Sequence, residues 1–262
     1  MNGFLSALWA ETLKARRSKV SLLTVAAVSM LPAAAGLFTV ILKNPERARE
    51  MGLLGAKAEL AMGTADWPTF FYVLVIGTAA GGALLLAFIA AWVFGREFSD
   101  HTAKELLALP TPRVVIVGAK FVLIGLWTLG LALWIYLLGV GIGMVVGIPG
   151  GSLELAWTSF RYLMLAVLLN CLLMPWVALF ASIGRGYLPP LGWAILALAL
   201  AQILTALGWA DWFPWAIPAL VGELAGPNAE PIALHSYVLV LLTSFVGVGA
   251  TLAWWRSADQ AR

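Results

Sequence analysis

The chain has 262 residues, of which 62% are hydrophobic and 11% charged, and its mean hydropathy is +0.94. That excludes a soluble domain, where charged residues make up about 25%, and the small net charge of +3 bears on membrane orientation rather than on nucleic acid. A single cysteine, Cys171, excludes an internal disulfide and a cysteine-based metal site.

Residues 2–19 repeat at helical spacing. Phe4, Leu5, Leu8, Trp9, Thr12 and Leu13 share one side, with Glu11, Lys14 and Ser18 opposite. This pattern predicts an interfacial helix lying along the membrane with its apolar face down. The basic group Lys14, Arg16, Arg17 and Lys19 follows, and no small-residue cleavage site succeeds the next apolar run, so a signal peptide is not expected. A positive-inside anchor with no further role is the plainer alternative.

Six apolar segments come next, at 20–42, 69–94, 121–148, 162–183, 188–207 and 236–255. Each can cross about 30 Å of hydrocarbon as a helix. The fold class expected is therefore an all-α integral membrane protein with six transmembrane helices in one membrane domain, a six-span core at 20–255 and a tail at 256–262. Orientation follows from Lys and Arg. With both termini cytoplasmic, eleven fall inside (Lys14, Arg16, Arg17, Lys19, Arg96, Lys104, Arg113, Lys120, Arg185, Arg256, Arg262) and five outside (Lys43, Arg47, Arg49, Lys57, Arg161). The excess obeys the positive-inside rule.

On the outer side, Asn44–Pro45 reads as a helix start, and Ala48, Met51, Leu54, Ala58 and Ala61 form a stripe, so 45–62 is expected to be a second interfacial helix. Between the last two segments, Trp209, Trp212, Phe213 and Trp215 are interrupted by Pro214 and Pro218. Such a stretch is too broken to span and too apolar to float free. It is expected to be a re-entrant or interfacial element before span six, or an aromatic belt at the rim.

The segments themselves contain no Asp, Glu, Lys, Arg or His. Gradient-driven transporters generally keep ionisable relays within the membrane. Nor does any Gly-Lys-Ser/Thr follow a Gly-rich turn, so the chain carries no nucleotide-binding loop, and the zinc-protease and serine-hydrolase motifs are missing too. His101 and His235 fall on opposite sides of the membrane, which sets aside a two-histidine metal site. The energy for any transport must come from another polypeptide. Thr78, Asn170 and Gln202 are the polar residues within spans that could line a substrate path, although interhelical hydrogen bonding is the commoner use of such residues. Pro175, five residues after Asn170, is expected to bend span four. Gly77 and Gly81, and Gly139, Gly143 and Gly147, let helices approach closely, within one subunit or across a dimer.

The most informative stretch is the charged island from Arg96 to Arg113. Thr102 and Glu105 fit a capping box, starting a helix that Pro110 must end near Leu109. Thr111–Pro112 then reads as N-cap and first residue of the next helix. A helix of one or two turns at 103–109, held between two spans, is a shape suited to being gripped; a solvated loop holding topology is the plainer alternative.

The sequence Gly-Arg-Glu-Phe-Ser-Asp-His-Thr-x-Lys-x-Leu-Leu-x-x-Pro-x-x-Arg from Gly95, followed by Ala119, Lys120 and Phe121, closely resembles the cytoplasmic loop of type 2 ABC exporter permeases. The likeness departs at His101, where the family has a small residue such as Gly. The resemblance implies a coupling helix between spans two and three that docks on an ATPase subunit. It implies an ATPase-coupling role for Glu97, Phe98, Asp100, Thr102, Lys104, Glu105, Leu106 and Leu107. Glu11-x-x-Lys14-x-x-Arg17 likewise resembles the connecting helix that these permeases lay against their ATPase. The partners implied are two copies of the ABC ATPase and a second permease, identical or homologous, in the lipid of a prokaryotic plasma membrane. ATP and Mg would be bound by the ATPase and no cofactor by this chain. The cargo expected is hydrophobic or amphipathic: a drug, lipid or peptide. The alternative is an immunity or sensing subunit that binds an antimicrobial peptide without moving it.

Overall fold

The computed structural model describes residues 3–43, 64–102, 105, 110–226 and 230–257. The expected outer helix at 45–62 lies outside these residues. So does the expected coupling helix at 103–109, apart from Glu105, which is helical, and so does the end of the tail.

The described residues form α1 (Gly3–Arg17), α2 (Lys19–Lys43), α3 (Trp67–Ser99), α4 (Arg113–Val146), α5 (Leu153–Ile183), α6 (Leu188–Ala206), a 3₁₀ turn (Ala210–Trp212), α7 (Ile217–Glu223) and α8 (Leu234–Ser257). Six of them, α2 to α6 and α8, are long and apolar enough to cross a membrane. Several start where a cap places them rather than where the apolar run begins. Asp66 opens α3 by accepting from the Thr69 amide at 2.9 Å. Ser152 opens α5 by accepting from the Leu155 amide at 3.1 Å. The fourth span therefore begins nine residues before the expected 162, and Arg161 rides on its exposed side. The start of α4 also differs: Pro112, not Thr111, is its N-cap, and no side chain caps it.

α3 and α5 form the centre. Half or more of their most apolar windows is buried, against 22–28% for the other four long helices. The Asn170 side-chain amide ties them by donating to the Ala79 carbonyl at 2.9 Å. The small-residue stripes are used within the chain. A Cβ at Gly139 would lie 2.7 Å from Leu74, one at Gly143 would strike the Trp67 indole, and one at Gly77 would lie 2.6 Å from Leu31. α8 docks on the back of α5, where Gly247 faces Pro175 and Trp176. There the Thr251 hydroxyl donates to the Pro175 carbonyl at 3.1 Å, and the Trp255 indole N–H donates to Ser182 at 2.9 Å.

The Pro-broken stretch before α8 is packed. Ile217 and Val221 of α7 are fully buried, and Gly222 lies against Ile76 and Ala79 of α3. Trp209 and Trp212 stay exposed.

Hydrogen bonds between helix ends fix which ends meet. Lys43, closing α2, donates to the Val146 and Gly147 carbonyls at the close of α4. At the opposite end, Arg113 donates to the Trp255 and Arg256 carbonyls, so the start of α4 meets the finish of α8. α3 finishes at this same end, and α1 lies against it there through Lys14 and Glu97. α3 and α4 have 33 and 34 residues; at 1.5 Å per residue each is roughly 50 Å long, well beyond the ~30 Å of hydrocarbon.

Candidate functional site

α1, α3 and α4 converge on a buried ionic cluster. Glu11 and Lys14 lie one turn apart on α1, Glu97 is two residues from the end of α3, and Lys120 is two turns into α4. Leu8, Glu11 and Ala15 form the inward stripe of α1 at spacings of three and four. Lys120 sits in the buried stripe that includes Ile116, Val117, Leu123 and Ile124. Both charges are carried inward on stripes that otherwise hold apolar residues.

The Lys120 ammonium has zero exposure, and Glu97 and Glu11 are 3% and 5% exposed. Lys120 uses all three protons: on Glu11 Oε2 at 3.0 Å, Glu97 Oε1 at 3.1 Å and the Val93 carbonyl at 2.9 Å. Lys14 bridges the same two carboxylates from the outer side, at 2.8 Å to Glu11 and 2.7 Å to Glu97. The remaining oxygen of Glu97 accepts from the Thr102 hydroxyl at 2.8 Å. Two carboxylates and two ammoniums make the group neutral, and the Phe94 ring covers Lys120 at 5.9 Å. Burial works against the charge on Lys14, but the Glu11 and Glu97 carboxylates outweigh it and hold its pKa above the ordinary lysine value. A buried charge is tolerated only when paired and hydrogen-bonded, so the four members stand or fall together.

Of the residues expected to couple to an ATPase, the structure gathers Glu11, Lys14, Glu97 and Thr102 into this one cluster. Phe98 lies beside it, its ring packed on Trp254 and Trp255 at 5.9 and 6.1 Å. Asp100 is exposed and pairs with Arg96 at 3.0 Å; Glu105 is exposed. Lys104, Leu106 and Leu107 lie outside the described residues. α1 departs from its expected setting in one respect: Glu11, expected on the face away from the membrane, turns into the bundle. The missed member is Lys120. In the sequence it is an inner-side positive charge and one position of the family-like stretch, not one of the expected coupling residues, although its place on an apolar stripe is an available signal. His101 has φ 58°, the left-handed region where a residue with no Cβ is least strained.

Of the three candidate path residues, Thr78 and Asn170 lie at the same α3–α5 seam and Gln202 does not. Thr78 and Asn170 are each 2% exposed and are hydrogen-bonded to the Leu74 and Ala79 carbonyls, whereas Gln202 is exposed on α6. Among the described residues no group of three or more His, Cys, Asp or Glu could hold a metal.

Residues 7–201, which include every member of the ionic cluster, match the family described as ABC-2 family transporter protein. The chain is also 24% identical over 190 residues to the bacitracin transport permease protein BCRB of Bacillus licheniformis, an alignment that takes in 72% of this chain and 88% of that protein.

Proposed function

The chain belongs to the ABC-2 transporter family of multi-pass membrane permeases, a family that lacks the ATPase domain, and from that premise we propose that it exports a hydrophobic or amphipathic cargo by alternating access. Two permease copies each receive one ATPase at the cytoplasmic face, which is the end bearing the ionic cluster. Closure of the ATPase pair on ATP pushes the 103–109 segment, and the push reaches the spans as rigid-body motion. Bacitracin, from the name of the relative, is the first cargo to try.

The observation that carries this reading is Lys120, wholly buried and bonded at once to Glu11 of α1 and Glu97 of α3. Thr102, where the loop leaves α3, is bonded into the same group. A load on the loop is thereby shared among the N-terminal helix and spans two and three. Glu11, Lys14 and Glu97 act in this account as the joint behind the contact. Leu106, Leu107, Lys104, Glu105 and Asp100 are the residues that meet the ATPase.

Leu106→Asp tests the contact without touching the joint. It should reduce co-purification of the ATPase at least tenfold while the variant still inserts in the membrane; normal ATPase capture and normal export would end the coupling assignment. Glu97→Ala is a poorer test, because it also strips Lys120 and Lys14 of a partner. Resistance retained with a catalytically dead ATPase would favour the binding-only immunity role.

A further inference from the structure

On the open side of Lys14, α1, α3 and the start of α6 enclose a cavity of about 530 Å³, lined by Trp9, Arg17, Trp92, Arg96, Asp100 and Tyr187 among others. From its chemistry we propose that this cavity binds the phosphate of an anionic phospholipid headgroup. The Arg96 guanidinium lies 5.1 Å over the Trp92 ring and gives Nε to Asp100 at 3.0 Å. Its Nη1 is buried with no hydrogen-bond partner among the described residues. The side chain as a whole is 32% exposed and lines the cavity. An arginine fork with donors unspent matches a phosphate.

The balance of charge points the same way. Lys14, Arg17 and Arg96 line the cavity against Asp100 alone. Lys14 is spent on Glu11 and Glu97, which leaves two guanidiniums facing one carboxylate, an excess of one positive charge. Close packing assembles the aromatic wall: a Cβ at Gly95 would lie 2.9 Å from the Gly186 carbonyl and 3.0 Å from the Tyr187 ring, so the loop before α6 can bring Tyr187 alongside. Trp and Tyr favour the headgroup level of a bilayer. Trp9 and Leu13 of the lining add apolar surface suited to an acyl chain, Trp9 at 66% exposure. Basic side chains at such a surface favour anionic lipid. The site needs only the six-span membrane architecture and does not depend on ATPase coupling.

The test is native mass spectrometry of the purified full chain titrated with phosphatidylglycerol, phosphatidylcholine or inorganic phosphate. Arg17→Gln with Arg96→Gln should weaken phosphatidylglycerol binding about 30-fold, and Arg17→Gln alone, at an exposed position that cannot disturb folding, about fivefold. Arg16→Gln with Lys19→Gln removes equal charge outside the cavity and should leave binding as in the wild type. Phosphatidylcholine should bind at the wild-type site more weakly than phosphatidylglycerol. Displacement of phosphatidylglycerol by millimolar inorganic phosphate would support phosphate recognition and name free phosphate as a source; no displacement would leave the lipid as the ligand. Equal retention of phosphatidylglycerol by the Arg17/Arg96 variant and wild type would overturn the site. So would an equal loss in the Arg16/Lys19 control.

Discussion

The two ends of the bundle are closed by opposite chemistry. Where α3 finishes, four charges and a hydroxyl share one buried neutral group. Where α3 begins, Trp67 packs on Phe70 and Phe71, Phe71 stacks on Tyr136 at 5.9 Å, and Tyr136 meets Phe160 at 5.1 Å. Dispersion and apolar burial are non-directional and decline in proportion to the area lost. A buried ion network fails when one member leaves, because the others remain charged and out of water. The aromatic end can therefore give by degrees, while the ionic end holds α1, α3 and α4 as a unit or lets go. Under the coupling reading, the all-or-none joint sits at the end that receives the push.

Removing Lys120 should have the largest effect. Lys120→Met leaves Glu11 and Glu97 short of a cation in a site where they are at most 5% exposed, which should cost about 3–5 kcal/mol. Thermal unfolding in detergent would read it. Adding Glu97→Gln to Lys120→Met restores neutrality, since Lys14 still faces Glu11, and should recover most of the loss. Unfolding of the single variant near the wild-type temperature would show that the two ends do not differ in kind.

A smaller loss is expected at the aromatic end. Gly143→Ala drives a methyl into the six-membered ring of the Trp67 indole, and overpacking of this sort costs about 1–3 kcal/mol. A phenyl ring reaches less far from the backbone, so Trp67→Phe should return at least half of that loss in the same unfolding assay. Failure of Trp67→Phe to compensate would mean that the gap at Gly143 is closed by something other than the indole.

The six spans were legible because twenty apolar residues in a row have few other fates; the start of α4 was not, because Thr111–Pro112 looks like a side-chain cap that the fold does not use. What escaped the sequence was anything that depended on register between helices. Gly139 and Gly143 announced a close approach, yet nothing in their spacing names Leu74 and Trp67 as the residues approached. Lys120, although part of the family-like stretch, gives no sign in the sequence of being buried, because counting charges by side assumes that each one faces water. Arg161 was treated as the edge of a span, but a single arginine on an exposed helix face does not stop a helix that Ser152 has already capped. Glu97 and Thr102 fall in the stretch that carries the family resemblance, and only the fold shows that Glu97 turns toward Lys14 and Lys120 and that the Thr102 hydroxyl donates to Glu97.

Between the two ends, Asn170 supplies the smallest and most discriminating test. Its amide is 2% exposed and donates across the α3–α5 seam to the Ala79 carbonyl at 2.9 Å. Hydrogen bonds between membrane helices are worth about 0.6 kcal/mol on average and up to about 1.7. Asn170→Leu keeps the same branching and number of side-chain heavy atoms and leaves no buried amide behind, and the Ala79 carbonyl loses only an extra donor. If Asn170 serves the seam alone, stability should fall within that range while export is unchanged. A tenfold fall in export at wild-type stability would instead mean that the amide meets the cargo when the permease opens, and would restore Asn170 to the substrate path together with its neighbour across the seam, Thr78.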